Sequence, residues 1–387
     1  MRSLLAWLIA IVPIFPPIYL LAFYFLRYWK AAGPILQKIF IFYFSTQIIA
    51  AALAPNPTLS ILLAILRSLF IFSLILTGIY LKSKEWLYYL LYGLLFVYIL
   101  AFWTTWHVYG DLWWHHRLAH PYYTSVSVGV AAAVGLLLIL SWTAKWWVKL
   151  PLVFLALAAL LFSGSRGALA LLLVGLTLAI LATEQLRSKW LIIGGVLSTT
   201  IYTIFSLGQN IPSLGHLLSL NLSSRDRVWQ GALEAIRSHP LGGVGPYQLG
   251  PWLTLGAKKL FLWTGARALG FKEFPAWTKS IYGSWLIAHN LLLHSLGETG
   301  IIGTVGFFIL LSLLGYAAFR SREPLLVAIF FGYLAMSLVD NPMAVPSLFF
   351  AEVFWVAGGM ALVQAGLAVP IEQGLTVDQD QLGPDAL

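Results

Sequence analysis

The chain has 387 residues, of which 60% are hydrophobic and only 10% charged, with a net charge of +9 and a mean hydropathy of +0.86. Soluble domains carry about 25% charged residues, so a water-soluble globule is excluded, and the apolar blocks are long enough to cross a ~30 Å hydrocarbon layer. Cysteine is absent, which excludes disulfides, thiolate metal sites and a cysteine nucleophile.

In chain order, apolar runs between charged or proline-rich breaks predict spans near 4–26, 39–54, 59–81, 86–102, 122–142, 150–163, 167–183, 190–207, 290–319, 324–339 and 348–366. The expected architecture is all-α: a polytopic integral membrane protein of about 11 (10–12) transmembrane helices, with one large outer loop that contains short helices. The run Leu4 to Leu26 is too long for a signal-peptide core and lacks a clear cleavage site, so it reads as the first membrane helix. Pro13, Pro16 and Pro17 could break it into a re-entrant pair. The expected divisions are 1–207, N-terminal membrane helices; 208–289, a large outer loop; 290–366, C-terminal membrane helices; and 367–387, an acidic tail expected to be disordered.

Short loops fix the orientation. Arg27, Lys30, Lys38, Lys82, Lys84, Lys145, Lys149, Arg187, Lys189, Arg320 and Arg322 fall on one side, against only Arg117 and Arg166 on the other. Cytoplasmic loops carry the excess of Lys and Arg, so the C-terminus is expected inside and the 208–289 loop outside. That loop has eight Lys or Arg against three acids, a surplus suited to an anionic ligand.

Asp111, His115, His116 and His120 share an outer loop and could bind zinc, but Trp113, Trp114, Tyr122 and Tyr123 beside them read more simply as an interfacial aromatic belt. Ser163-Gly164-Ser165-Arg166-Gly167 is a tight break between two apolar helices. A helix N-terminus and a guanidinium both favour an anion there, although a plain hairpin with a snorkelling arginine fits equally well. Ser223-Ser224-Arg225-Asp226-Arg227 leads into an amphipathic helix with apolar positions at 228, 229, 232, 233 and 236, where Trp229 and Leu233 are expected to hold it onto the membrane domain or the interface. Its arginines could clamp a diphosphate or simply pair with Asp226. His289 and Asn290 stand where the outer loop enters a membrane helix, and a histidine there can act as general base. Glu298 in that helix and Arg67 in the third span are intramembrane charges, hence functional candidates by default, or a pair that holds helices together.

The ordered set Ser-Gly-Ser-Arg-Gly, then Arg225-x3-Trp229 with His239-Pro240-Leu241-x-Gly243-Val244-Gly245, then His289-Asn290-x9-Gly300-x2-Gly303, resembles the O-antigen ligase and polymerase superfamily over roughly residues 120–345. The resemblance implies an inverting, metal-independent glycosyltransferase fed by an undecaprenyl-diphosphate-linked glycan in the periplasmic leaflet of a bacterial inner membrane. It carries the catalytic roles to His289, Arg225 and Arg166, and leaves Arg227, Arg67, Glu298, Ser165 and Asn290 as substrate-binding candidates. The partners implied are the lipid-linked donor, a glycan, lipid or protein acceptor and the bilayer, with no nucleic acid and no cofactor. Gly303 followed by Thr304 departs from the ligase form of the last motif, and the insert 251–284 matches no assigned pattern, so ligase and polymerase both stay open. The alternative of another class is a transporter of a small anion such as bicarbonate, a label given to some cyanobacterial members; the sequence has no convincing internal repeat of the kind transporters carry.

Overall fold

A computed structural model describes residues 2–182, 195, 202, 206, 217, 225–254, 287–346 and 350–369. The expected span 190–207, most of the insert 251–284 and the tail from residue 370 lie outside the described residues. Helix is the dominant secondary structure, with no strand among the described residues. The helices are α1 Arg2–Ile11, a 3-10 helix Pro16–Ala32, α2 Gly33–Ala52, α3 Pro57–Leu81, α4 Leu90–Tyr109, α5 Ser125–Ser141, α6 Trp146–Ser163, α7 Arg166–Ala182, α8 Arg225–Ser238, α9 Leu249–Thr254, α10 Leu291–Ser321, α11 Pro324–Met336 and α12 Ala351–Gln364.

Among the described residues, five helical segments are long and apolar enough to cross a membrane: Pro16–Ala52, Pro57–Leu81, Lys84–His115, Trp146–Ser163 and Leu291–Ser321. The shorter apolar helices α5, α7, α11 and α12 complete the bundle. The run read as one helix over 4–26 is interrupted: α1 stops at Ile11, and Pro16 and Pro17 restart the chain as the 3-10 helix. Proline removes an amide donor and clashes with the preceding turn.

Helix starts follow local chemistry. Pro57 occupies the first turn of α3, and Asn56 Oδ1 accepts from Leu59 N at 3.4 Å. Thr124 Oγ1 accepts from Ser127 N at 3.2 Å to begin α5. Packing relies on small residues, as expected where lipid gives helices no hydrophobic reason to associate. In α3, a Cβ on Gly78 would stand 2.0 Å from the Val356 carbonyl of α12, and one on Gly359 would stand 2.0 Å from the Ile75 carbonyl, so these two backbones meet directly.

The connections alternate between two ends. At one, Lys84 Nζ pairs with Glu323 at 2.7 Å and Tyr88 OH donates to Ser141 O at 3.1 Å. At the other, Leu118 N donates to Phe162 O at 3.0 Å and Leu291 N to Ser337 O at 2.9 Å. Residues 367–369 turn back onto the first end of α2, with Val369 N donating to Ala31 O at 3.1 Å.

Candidate functional site

The break in α10 organises the site. Gly300 takes φ 57°, ψ −165° inside the helix, which removes the bonds that Ile301 N and Ile302 N would make to Gly297 O and Glu298 O. All four orphaned groups find partners in the loop after α8. Ile301 N donates to Pro240 O (2.9 Å) and Ile302 N to Leu241 O (3.2 Å), while Gly297 O accepts from Val244 N (2.9 Å) and Glu298 O from Gly245 N (2.9 Å). Non-helical backbone at membrane depth is tolerated where protein re-satisfies it. A Cβ on Gly243 would lie 2.3 Å from the Glu298 backbone, and one on Gly300 2.2 Å from Leu241 O. The glycines of the two motifs therefore dock the loop onto the helix, and this joins the element bearing Arg225 to the one bearing His289.

His289 precedes α10 with φ +50°, a conformation uncommon for a residue with a Cβ. Its Nδ1 lies 3.1 Å from Oδ1 of Asp340, a buried carboxylate at the end of α11. The same oxygen accepts from Asn341 N at 3.0 Å, and Oδ2 stands 3.7 Å from Arg225 Nη2. A carboxylate facing Nδ1 of a neutral imidazole places the proton there and leaves Nε2 as the basic nitrogen.

Arg117 Nε donates to Ser163 O at 2.7 Å, the carbonyl that ends α6. Burial, then the charges of Arg166 and Arg225, lowers the Arg117 pKa to about 10. Arg166 and Arg225 thus stand near enough to Arg117, at the Ser163–Ser165 turn, for their like charges to act on it. Within that turn Gly164 adopts the left-handed conformation, Ser165 Oγ accepts from Ala168 N at 3.2 Å, and Arg166 opens α7. Ser165 is buried and acts as the helix cap. Asn290 is likewise committed to structure: Oδ1 accepts from Leu293 N at 3.0 Å and Nδ2 donates to Leu338 O at 3.0 Å.

A cavity of about 510 Å³ opens beside His289 and Asp340 and runs inward past Tyr247, His294, Glu298 and Arg67. Arg67 is ion-paired with Glu298, and its Nη2 donates to Gln47 Oε1 at 3.1 Å; Gln47 Nε2 in turn donates to Gly303 O at 2.8 Å. Glu298 Oε1 also accepts from Tyr247 N at 2.8 Å and stands 3.4 Å from His294 Nε2. The Tyr247 ring lies 5.4 Å from the Arg67 guanidinium, and its hydroxyl, pushed up by burial, donates to Val345 O.

The structure therefore brings His289, Arg225 and Arg166 to one end of the bundle and sets Arg67 and Glu298 as a pair in the cavity wall. Arg227 lies in α8, and its side chain is outside the described residues. On α8, Ala232 of the expected apolar positions is buried together with Ala235, while Leu233 is 40% exposed. Three of the four residues read as a possible zinc loop, His115, His116 and His120, are engaged elsewhere. Burial lowers the His120 pKa to about 3, and its Nδ1 accepts from Tyr122 N and Tyr123 N, while His115 and His116 stack on Trp114 and Tyr109. Among the described residues no three His, Asp or Glu side chains converge as metal ligands.

Sequence reasoning missed Arg117, Asp340, Tyr247, Gln47 and His294. One signal for Arg117 was present: Arg117 and Arg166 are the two basic residues that run against the charge bias of the short loops, and both belong to the arginine cluster.

Fold and site together define a polytopic helical membrane protein with a cationic cluster, a carboxylate-backed histidine and an adjoining cavity at one end of its bundle. The family model described as O-antigen ligase matches residues 151–308, which include Arg166, Arg225, His289 and the glycine-mediated docking of loop on helix. The match supports a place in the O-antigen ligase and polymerase superfamily that the motifs resemble. No curated protein matches the chain.

Proposed function

We propose that this chain is a membrane glycosyltransferase that transfers or polymerises a glycan from an undecaprenyl-diphosphate-linked donor at the periplasmic face of a bacterial inner membrane, inverting and metal-independent. In this reading residues 1–207 and 290–366 are the membrane domain, 208–289 the periplasmic loop, and the C-terminus is cytoplasmic. The observation that carries it is the convergence of Arg117, Arg166 and Arg225 beside the His289–Asp340 pair.

The chemistry follows from charge. His289 Nε2 takes the proton from an acceptor hydroxyl, whose oxygen attacks the anomeric carbon from the face opposite the leaving group. The bond from that carbon to the phosphate oxygen breaks, and its electron pair leaves on the diphosphate. Negative charge grows there, and fixed guanidiniums stabilise it more than they stabilise the ground state. Asp340 holds the imidazole in its basic tautomer and stabilises the imidazolium that forms.

The test is glycan transfer by purified protein from a set of undecaprenyl-diphosphate oligosaccharides with a chelator present, comparing the wild type with Arg225→Ala and His289→Ala. Transfer that survives chelation and collapses in both variants supports the reading; no transfer from any donor, together with anion uptake into proteoliposomes, would replace it with transport.

A further inference from the structure

His289 is held from both sides. After it, Leu291 N donates to Ser337 O at 2.9 Å and Asn290 Nδ2 to Leu338 O at 3.0 Å, which ties the start of α10 to the segment leading to Asp340. Before it, the chain passes through Ala288, buried in one apolar cluster with Ala232, Ala235, Val244 and Leu249. A buried amide N–H must find an acceptor. The one that Ala288 N meets is Nδ1 of His294, at 3.4 Å, six residues further on and already inside α10.

That bond sets the state of the imidazole. An Nδ1 that accepts carries no proton, so the neutral ring has its proton on Nε2. Nε2 stands 3.4 Å from Glu298 Oε1, a donor facing a carboxylate. A charged ring would instead turn an Nδ1–H against the Ala288 N–H, donor against donor. Glu298 is itself fixed twice more: Oε1 accepts from Tyr247 N at 2.8 Å, and Oε2 is paired with Arg67. His294 is buried, and the proposed transfer step uses neither of its nitrogens. It bridges an anchored ion pair and the backbone that presents His289.

The bridge has a strained turn to hold. His289 sits at φ +50°, a conformation that a residue with a Cβ keeps only when its surroundings over-determine it. Its Nδ1 must also stay in reach of Asp340, at 3.1 Å. The contacts after His289 fix one end of the turn; without the contact at Ala288 the other end is free to relax, and Nδ1 moves with it. We infer that His294 is a positioning residue, whose neutral imidazole braces the Ala288–His289 backbone against the Arg67–Glu298 pair and so keeps the proposed base on Asp340. The inference rests on the glycosyltransferase reading for the role of His289, and on the two contacts of the imidazole for the brace itself.

The experiment uses the full chain in nanodiscs and compares the wild type with His294→Gln and His294→Leu. Glutamine offers one acceptor and one donor in place of Nδ1 and Nε2–H, and leucine offers neither. In glycan-transfer assays His294→Leu should lower kcat by about 10- to 100-fold, the scale of a misplaced reacting group, with donor and acceptor KM unchanged. His294→Gln should restore most of that loss. With isotope-labelled histidine, NMR of the wild type should show His294 neutral with its proton on Nε2. The same spectrum should show a low-field Nδ1–H signal from His289 that weakens in His294→Leu and returns in His294→Gln. Intact kcat in His294→Leu, a loss carried by either KM, or a loss that glutamine does not restore would overturn the brace and leave the enzyme standing. No transfer by the wild type from any donor, with both signals behaving as stated, would keep the brace and sink the proposed enzyme. Should His294→Leu fail to fold, the wild-type spectrum decides: the Nε2 tautomer supports the brace, and a His294 that is charged or carries its proton on Nδ1 refutes it.

Discussion

The Asp340 carboxylate stands 3.1 Å from His289 Nδ1, although 51 residues separate the two along the chain. Its other oxygen faces Arg225 at 3.7 Å, so one buried acid orients the base and meets one of the arginines. Asp340→Asn keeps the shape but can present its amide N–H to Nδ1, which favours the tautomer with the proton on Nε2. Transfer should fall by about 10²–10⁴ with the melting temperature nearly held. A rate close to that of the wild type would show that the carboxylate does not set the tautomer.

Arg117 provides a pH test. Its pKa is lowered to about 10 by burial and by Arg166 and Arg225, so the cation is disfavoured in the unliganded protein. Because the folded value lies below the ordinary arginine value of the unfolded chain, Arg117 destabilises the free protein at neutral pH, and that penalty lifts as pH rises above about 10. Anion binding runs the other way, since deprotonation removes a positive charge. Affinity for inorganic pyrophosphate, measured by calorimetry, should drop above pH of about 10 in the wild type, and Arg117→Ala should bind weakly across the range with that drop abolished.

Gly243 and Gly300 should tolerate no side chain. Both have positive φ, +67° and +57°, and a Cβ on either would press on backbone of the partner element. Strained conformations of this type cost about 1–3 kcal/mol before any clash is counted. Gly243→Ala and Gly300→Ala should each lower the melting temperature and abolish transfer. Retained activity in either would mean that the docked loop is not needed to assemble the site.

Arg67 and Glu298 should be strongly coupled. Arg67→Met leaves a carboxylate buried without its cation, a loss of about 3–5 kcal/mol. Glu298→Gln still offers an acceptor to Tyr247 N, so the double variant should recover much of what Arg67→Met loses. A double-mutant cycle on thermal stability reads this directly, and simple additivity would deny the coupling.

The sequence by itself determined the membrane class, helix at ten of the eleven expected spans, the amphipathic helix after Arg225, and the outlying positive charges at Arg117 and Arg166. These are local properties: hydrocarbon thickness sets the length of an apolar run, and a period of 3.6 residues is visible within a few turns. Resemblance to a family added His289, Arg225 and Arg166. The apolar positions expected on α8 include Ala232, which is buried, whereas Leu233 is exposed and Ala235, outside that set, is buried with Ala232, because close docking of two elements favours small residues over large ones. Only the tertiary structure joined Asp340 to His289, Arg67 to Glu298 across 231 residues, and the loop 240–245 to the broken turn at Gly300. Each of these is a partnership between distant groups. An isolated sequence shows that a buried charge or an unpaired amide must find a partner, but which one it finds depends on how the helices pack.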